Sequence, residues 1–375
     1  MRKISDTIDR LGRMRSQRKL FVPDAENSSC LRDLDPFGSN PGNLAARCFA
    51  PTDLPRSAPL VVVLHGCTQN AAVYDLGSGW SRLADQAGFA VLYPEQQRAN
   101  NPNLCFNWFK PDDTRRGSGE VLSIRQMIEA MVASHGIDRQ RIFITGLSAG
   151  GGMATAMLAT YPEVFTGGGI IAGLAYGSAM TVPEAFDRMR GHGGPSPKRL
   201  QQLLAGASSH KGSWPRVSIW QGSADQTVSA SNADAIVAQW RVVHGLEKAP
   251  TLSEKDGLRT RLAWCDKAGQ TKIEMNTIAG MGHGAPIGSD GLGHAQPFML
   301  DVGISSTLEI ARFWGIAEGA DRQSAAVSGH PKLEGPPSSM AATMGTRPGV
   351  GDHQAKRPKV QQVIEDALRA AGLMR

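Results

Sequence analysis

The sequence predicts an α/β protein built on a doubly wound, mostly parallel sheet with helices on both faces. Three observations carry this. Apolar runs of strand length, such as "PLVVVLHG" (59–66), have no polar alternation, as strands buried on both faces require. These runs alternate with segments of helical period. And one junction of strand and helix carries the pentapeptide Gly146-Leu147-Ser148-Ala149-Gly150.

From about residue 41 the chain reads strand, turn, helix, repeated. After "PLVVVLHG", helix is expected over 78–88 and a strand in "FAVLYPE" (89–95). Segment 119–136 is helical, because Val121, Ile124, Ile128, Met131 and Val132 recur on one face. "RIFITG" (141–146) reads as a strand and 151–162 as a helix ending near Pro162. Strands follow at 167–175 and 216–222, a helix at 232–245, a strand at 271–280 and a closing helix at 303–315. Residues 176–214 break the rhythm with Pro and Gly and read as an insertion over the top of the sheet.

This organises the chain into a basic amphipathic segment (1–36), an α/β domain (37–317), a flexible linker (318–358) and an amphipathic C-terminal helix (359–375). Ile4, Ile8, Leu11 and Met14 share a face of the first segment, and Val360, Val363, Ile364, Ala367, Leu368 and Ala371 share a face of the last. Either helix can pack on the domain or seek a hydrophobic particle surface.

The formal net charge of +6 suggests a polyanion partner until it is located. Residues 1–20 carry +5 and residues 318–375 carry +2, leaving −1 for everything between. A near-neutral core has no basic groove for a phosphate backbone, so no nucleic-acid partner is expected. No run is long enough for a transmembrane helix. The N-terminus lacks an apolar signal region, which points to the cytoplasm. The five cysteines lack metal-ligand spacing; they allow one bridge and require none. No metal or cofactor is expected.

In a chain with 43 glycines, Gly-x-Ser-x-Gly can arise by chance, so its context must carry the reading. It follows a strand and opens a helix, where a nucleophile elbow lies. A phosphate loop is excluded by chemistry: no Lys-Ser/Thr pair ends it, and no strand end offers the acidic residue of a dinucleotide site. Ser148 is therefore the candidate nucleophile.

A serine hydroxyl needs a base and an orienting acid, which in this fold follow in the order acid, histidine. Asp225 lies just past the strand "RVSIWQG", 77 residues after Ser148; Asp234 and Asp187 are placed worse, in a helix and in the insertion. Among nine histidines, His283 in "GMGHGAPIG" follows a strand in a glycine-rich loop, and His294 is its competitor. His65 precedes the serine, so it shapes a loop rather than serving as base. The oxyanion donors expected are the amides of Ala149, next to the nucleophile, and Cys67, in the loop "HGCTQN". Trp108 in "CFNWF" is the candidate to grip an acyl chain, against a buried structural role.

The segments "VVVLHGCTQNAAVYD", "YPEQQRANNPNLCFNWF", "SIRQMIEAM", "GLSAGG", "IWQGSADQTV", "SNADAIVAQW" and "GMGHGAPI" closely resemble the polyhydroxybutyrate depolymerase family of esterases, over about residues 37–316. The resemblance implies an α/β-hydrolase fold, with Ser148, Asp225 and His283 as triad and Cys67 as oxyanion donor. It implies the type 1 arrangement, with the oxyanion motif before the serine. If a bridge forms, Cys67 and Cys105 are the candidate pair. The resemblance also implies export, against the N-terminal reading. The sequence departs from the family in having Gln221 where a histidine is frequent, and its tail is too short for a polymer-binding domain. The expected activity is ester hydrolysis, with poly(3-hydroxybutyrate) or its oligomers first. Feruloyl, acetylxylan or small esters are the alternative, and a non-catalytic granule binder is remote.

Overall fold

The computed structural model describes residues 29–317. The expected linker, the C-terminal helix and the apolar face of the N-terminal segment lie outside the described residues. In chain order the structure opens with β1 (Arg32–Asp33), β2 (Ala45–Phe49), β3 (Leu60–Leu64), α1 (Ala71–Ser78) and α2 (Trp80–Ala87). Next come β4 (Ala90–Glu95), α3 (Pro111–Thr114), α4 (Gly119–His135), β5 (Ile142–Leu147) and α5 (Ala149–Thr160). β6 (Gly167–Ile171), α6 (Val182–Met189), α7 (Pro197–Ala205), β7 (Arg216–Gly222) and α8 (Ser231–Val243) follow. The chain then runs through β8 (Leu252–Asp256), β9 (Arg259–Cys265), β10 (Thr271–Ile278), β11 (Ala285–Ile287), β12 (Met299–Asp301) and α9 (Ser306–Trp314).

Among the described residues ten strands make one sheet in the order β1-β2-β4-β3-β5-β6-β7-β10-β9-β8. The run from β4 to β10 is parallel, with antiparallel strands at both ends. β3 and β5 are wholly buried, as their mostly apolar sequences demand. The chain steps outward from β3 to β4, then returns across β3 to β5. That reversal opens a crevice at the carboxyl ends of the strands, where ligands bind in open α/β sheets. On one face Trp314 stacks on Trp80 and Phe143; the other carries the larger core around α4, α5 and α8. This is the α/β-hydrolase fold. Among the described residues no helix is long and apolar enough to cross a membrane.

Three expectations need correction. The break expected over residues 176–214 holds two helices, because its prolines start helices instead of ending them. Thr181 caps α6 by accepting from Glu184 N, and Ser196 caps α7 by accepting from Arg199 N, each with Pro in the first turn. α7 packs against α8 through Gln239, whose Nε2 donates to Leu200 O. Second, the boundary at residue 37 is crossed, since Arg32 and Asp33 pair with β2. Third, the hairpin β8–β9 stands where no element was expected. β8 is exposed along its whole length and reads "LSEKD", so it has no apolar face to announce it.

Candidate active site

The elbow is built from absent side chains. Ser148 sits at φ 57°, ψ −117°, a left-handed conformation costly for any residue with a Cβ. A Cβ on Gly146 would lie 2.3 Å from Gly150 O, and one on Gly150 would lie 2.4 Å from Leu64 O and 2.5 Å from His65 O. Only glycine at both positions lets β5, α5 and the end of β3 approach this closely. Ser148 N donates to Ile171 O of the adjacent strand, and Gly152 N donates to Ser148 O, so the strained residue is held on both sides.

The loops after β7 and β10 bring acid and histidine to the serine. Ser223 N donates to Ile278 O and Ala224 N to Met281 O, which joins the two loops. Asp225 Oδ1 accepts from Thr227 N and Val228 N, and Oδ2 faces His283 Nδ1 at 2.8 Å. His283 Nε2 lies 3.0 Å from Ser148 Oγ. The carboxylate requires the proton on Nδ1, which leaves the Nε2 lone pair to accept from the serine hydroxyl. The Asp225 carboxylate is fully buried and the imidazole is 6% exposed, so little water screens the pair.

Of the two glycines beside the histidine, one is required. A Cβ on Gly284 would meet Phe298 O at 2.6 Å, whereas one on Gly282 would meet nothing within 4 Å. His294, the competitor, is exposed and donates its backbone N–H to Gly77 O, away from Asp225. Asp187 lies in α6 and Asp234 in the first turn of α8.

The loop after β3 is fixed by His65. The ring is 1% exposed; its Nδ1–H donates to Gly66 O and its Nε2 accepts from Gln96 N. A backbone N–H must donate, so the tautomer is set, and burial pushes the imidazole down to about 4. Gln69 Oε1 accepts from Gly66 N. Cys67 is joined to Cys105 by a disulfide, and Thr68 N donates to Asn103 O beside it. The amides of Cys67 and Ala149 find no hydrogen-bond partner among the described residues.

Trp108 is buried, 7% exposed. Its indole occupies the space where a Cβ on Gly152 would fall, behind the serine at the start of α5. That is the structural position rather than an open mouth: the missing side chain of Gly152 leaves a slot that a flat ring fills.

Gln221 does more than the sequence reading assigned it. Its side chain is buried, and Nε2 donates to Asp225 Oδ2 (3.2 Å) and Val228 O (3.0 Å). The signal was present, since Gln221 is the last residue but one of the strand that leads to Asp225, but its aim needed the fold. Among the described residues no group of three or more His, Cys, Asp or Glu side chains is placed to hold a metal ion.

Comparison with known proteins identifies the family. The family model described as "Esterase PHB depolymerase" matches residues 46–260. The chain is 44% identical to the poly(3-hydroxyalkanoate) depolymerase C of Paucimonas lemoignei over 291 residues, covering 76% of this chain and 70% of that protein. It is 27% identical to the feruloyl esterase B of Talaromyces funiculosus, covering 69% of this chain and 74% of that protein. Among solved structures, an acetyl xylan esterase from Aspergillus awamori superposes with a TM-score of 0.66 at 25% identity, covering 77% of this chain and all of that one (100%). The chain therefore belongs to the esterase PHB depolymerase family and is a carboxylic ester hydrolase.

Proposed function

We propose that Ser148, His283 and Asp225 form the catalytic triad of this esterase and act through an acyl-enzyme. The observation that carries this is the continuous hydrogen-bonded line from Ser148 Oγ through the imidazole to the buried Asp225 carboxylate. His283 takes the hydroxyl proton as Oγ attacks the ester carbonyl. Asp225 stabilises the imidazolium that forms. The unpartnered amides of Cys67 and Ala149 receive the oxyanion. His283 returns the proton to the leaving alkoxide, and water then releases the acid. No step needs a cofactor.

Poly(3-hydroxybutyrate) or its oligomers are the substrate we favour, supported by the 44% relative named as a poly(3-hydroxyalkanoate) depolymerase. Feruloyl or acetylxylan esters are the second reading, supported by the fungal relatives at 27–28% identity. Assays on 3-hydroxybutyrate oligomers, methyl ferulate and acetylated xylan compare them. Absence of oligomer turnover would sink the first reading. Ser148→Ala is expected to lower kcat by about a millionfold toward background. Unchanged turnover in that variant would overturn the triad and favour a non-catalytic role at a polymer or granule surface.

A further inference from the structure

The tetrapeptide Gln296-Pro297-Phe298-Met299 closes a β-turn, with Met299 N donating to Gln296 O at 2.9 Å. Pro stands at the second position and φ is +67° at the third. That pattern calls for glycine or asparagine at the third position, because a Cβ is strained there. The residue present is phenylalanine, whose ring is half-buried and free of the main core.

The turn is anchored on two sides. Phe298 O accepts from Ala285 N (2.8 Å), and β12, which starts at the next residue, pairs in parallel with β11, two residues after His283. Gln69 Nε2, from the loop that carries Cys67, reaches Pro297 O at 3.5 Å. The Phe298 ring therefore stands edge-on to the His283 imidazole, with centroids 6.1 Å apart and planes at 77°. A local rule broken beside a reacting group, with anchors that hold the break in place, marks a side chain kept for contact rather than for the turn.

Which part of the ester it meets follows from the chemistry. The imidazole that takes the serine proton must hand it to the departing alkoxide, so the alcohol portion leaves past His283. We propose that Phe298 forms the wall of the alcohol-side subsite and selects esters whose alcohol carries an apolar alkyl or aryl group. This rests on the triad reading above. In a polyester that alcohol is the next hydroxyacyl unit of the chain.

The test varies one side of the ester at a time. Methyl, butyl and benzyl acetates vary the alcohol; p-nitrophenyl acetate, butyrate and octanoate vary the acid. Phe298→Gly relieves the positive φ and is expected to fold, melting close to wild type. Its benzyl-to-methyl ratio of kcat/KM should fall about tenfold, the scale of one lost apolar contact, while the octanoate-to-acetate ratio holds. Phe298→Leu, which restores apolar area, should recover most of the ratio. An unchanged alcohol ratio, an equal loss on every ester, or a change in the acyl ratio instead overturns the proposal. Ser148→Ala, run in parallel, reads the triad separately: retained turnover there defeats the triad, whereas retained alcohol preference in Phe298→Gly defeats only the subsite.

Discussion

Adding one methyl group at Gly150 tests whether the elbow and the loop behind it are set by backbone contact. A Cβ there lies 2.4 Å from Leu64 O and 2.5 Å from His65 O, against 3.4 Å for an ordinary contact. Both neighbours are backbone oxygens, at and just past the end of β3, so no side chain can swing away. The N-terminus of α5 and the end of β3 must part by about 1 Å, the scale of overpacking that costs about 1–3 kcal/mol of stability. The serine rides on one of these elements and the Cys67 loop on the other. A misplacement of that size is expected to cost about a hundredfold in kcat. Gly282→Ala is the internal control: it neighbours His283, yet its Cβ would meet nothing within 4 Å. The assay is p-nitrophenyl butyrate hydrolysis at saturation, with urea unfolding of both variants. A folded Gly150→Ala enzyme within about threefold of wild-type kcat refutes the reasoning, and so does an equal loss in Gly282→Ala.

Gln221→Leu removes a donor from Asp225 Oδ2 while the two backbone donors on Oδ1 remain. That oxygen then keeps His283 Nδ1 as its side-chain donor, and the aim of the carboxylate at the imidazole loosens. kcat/KM should fall about tenfold, the scale of one hydrogen bond to a charged group, and an unchanged kcat/KM would remove Gln221 from the site. The second concerns Glu120, which is fully buried and accepts from Gln96 Nε2, Asn107 N and Asn107 Nδ2. Burial, then the charge of Asp113, push its carboxyl up to about 8 from 4.5. The folded protein therefore holds a proton that the unfolded chain releases. Stability contributed by this group is complete below the unfolded value and is lost as pH rises from about 4.5 to about 8, at up to about 1.4 kcal/mol per pH unit. Melting curves over that range should fall more steeply for wild type than for Glu120→Gln, and parallel curves would show that Glu120 is ionised throughout.

Most of the central sheet was legible because a strand buried on both faces must be largely apolar. β3 meets that demand at every residue, and β5 and β7 were located from apolar runs that carry buried polar residues, Thr145 in the one and Ser218 and Gln221 in the other. The elbow was legible for a related reason, since close approach of strand and helix admits only glycine at residues 146 and 150. α6, α7 and the β8–β9 hairpin were not. A proline read as a breaker becomes a starter once a capping residue precedes it, and an edge strand open to water needs no apolar pattern. Trp108 stayed open between two roles in the sequence because aromatic residues look alike there whether they fill a slot or line a mouth; its ring is buried against Gly152.

The sequence by itself determined the order of the parts: serine after β5, acid after β7, histidine after β10, with Cys67 ahead of them. Each lies at the carboxyl end of a strand, and parallel strands deliver those ends to one edge. What only the tertiary structure decided were the relations between side chains from different loops. Gln221 Nε2 donates to Asp225, Gln96 N donates to His65 Nε2, and Phe298 is held against His283 by a strained turn. Such relations depend on distances of a few ångströms between residues far apart in sequence. Hydrogen bonds and ring contacts vanish beyond that range, so no pattern along the chain records them.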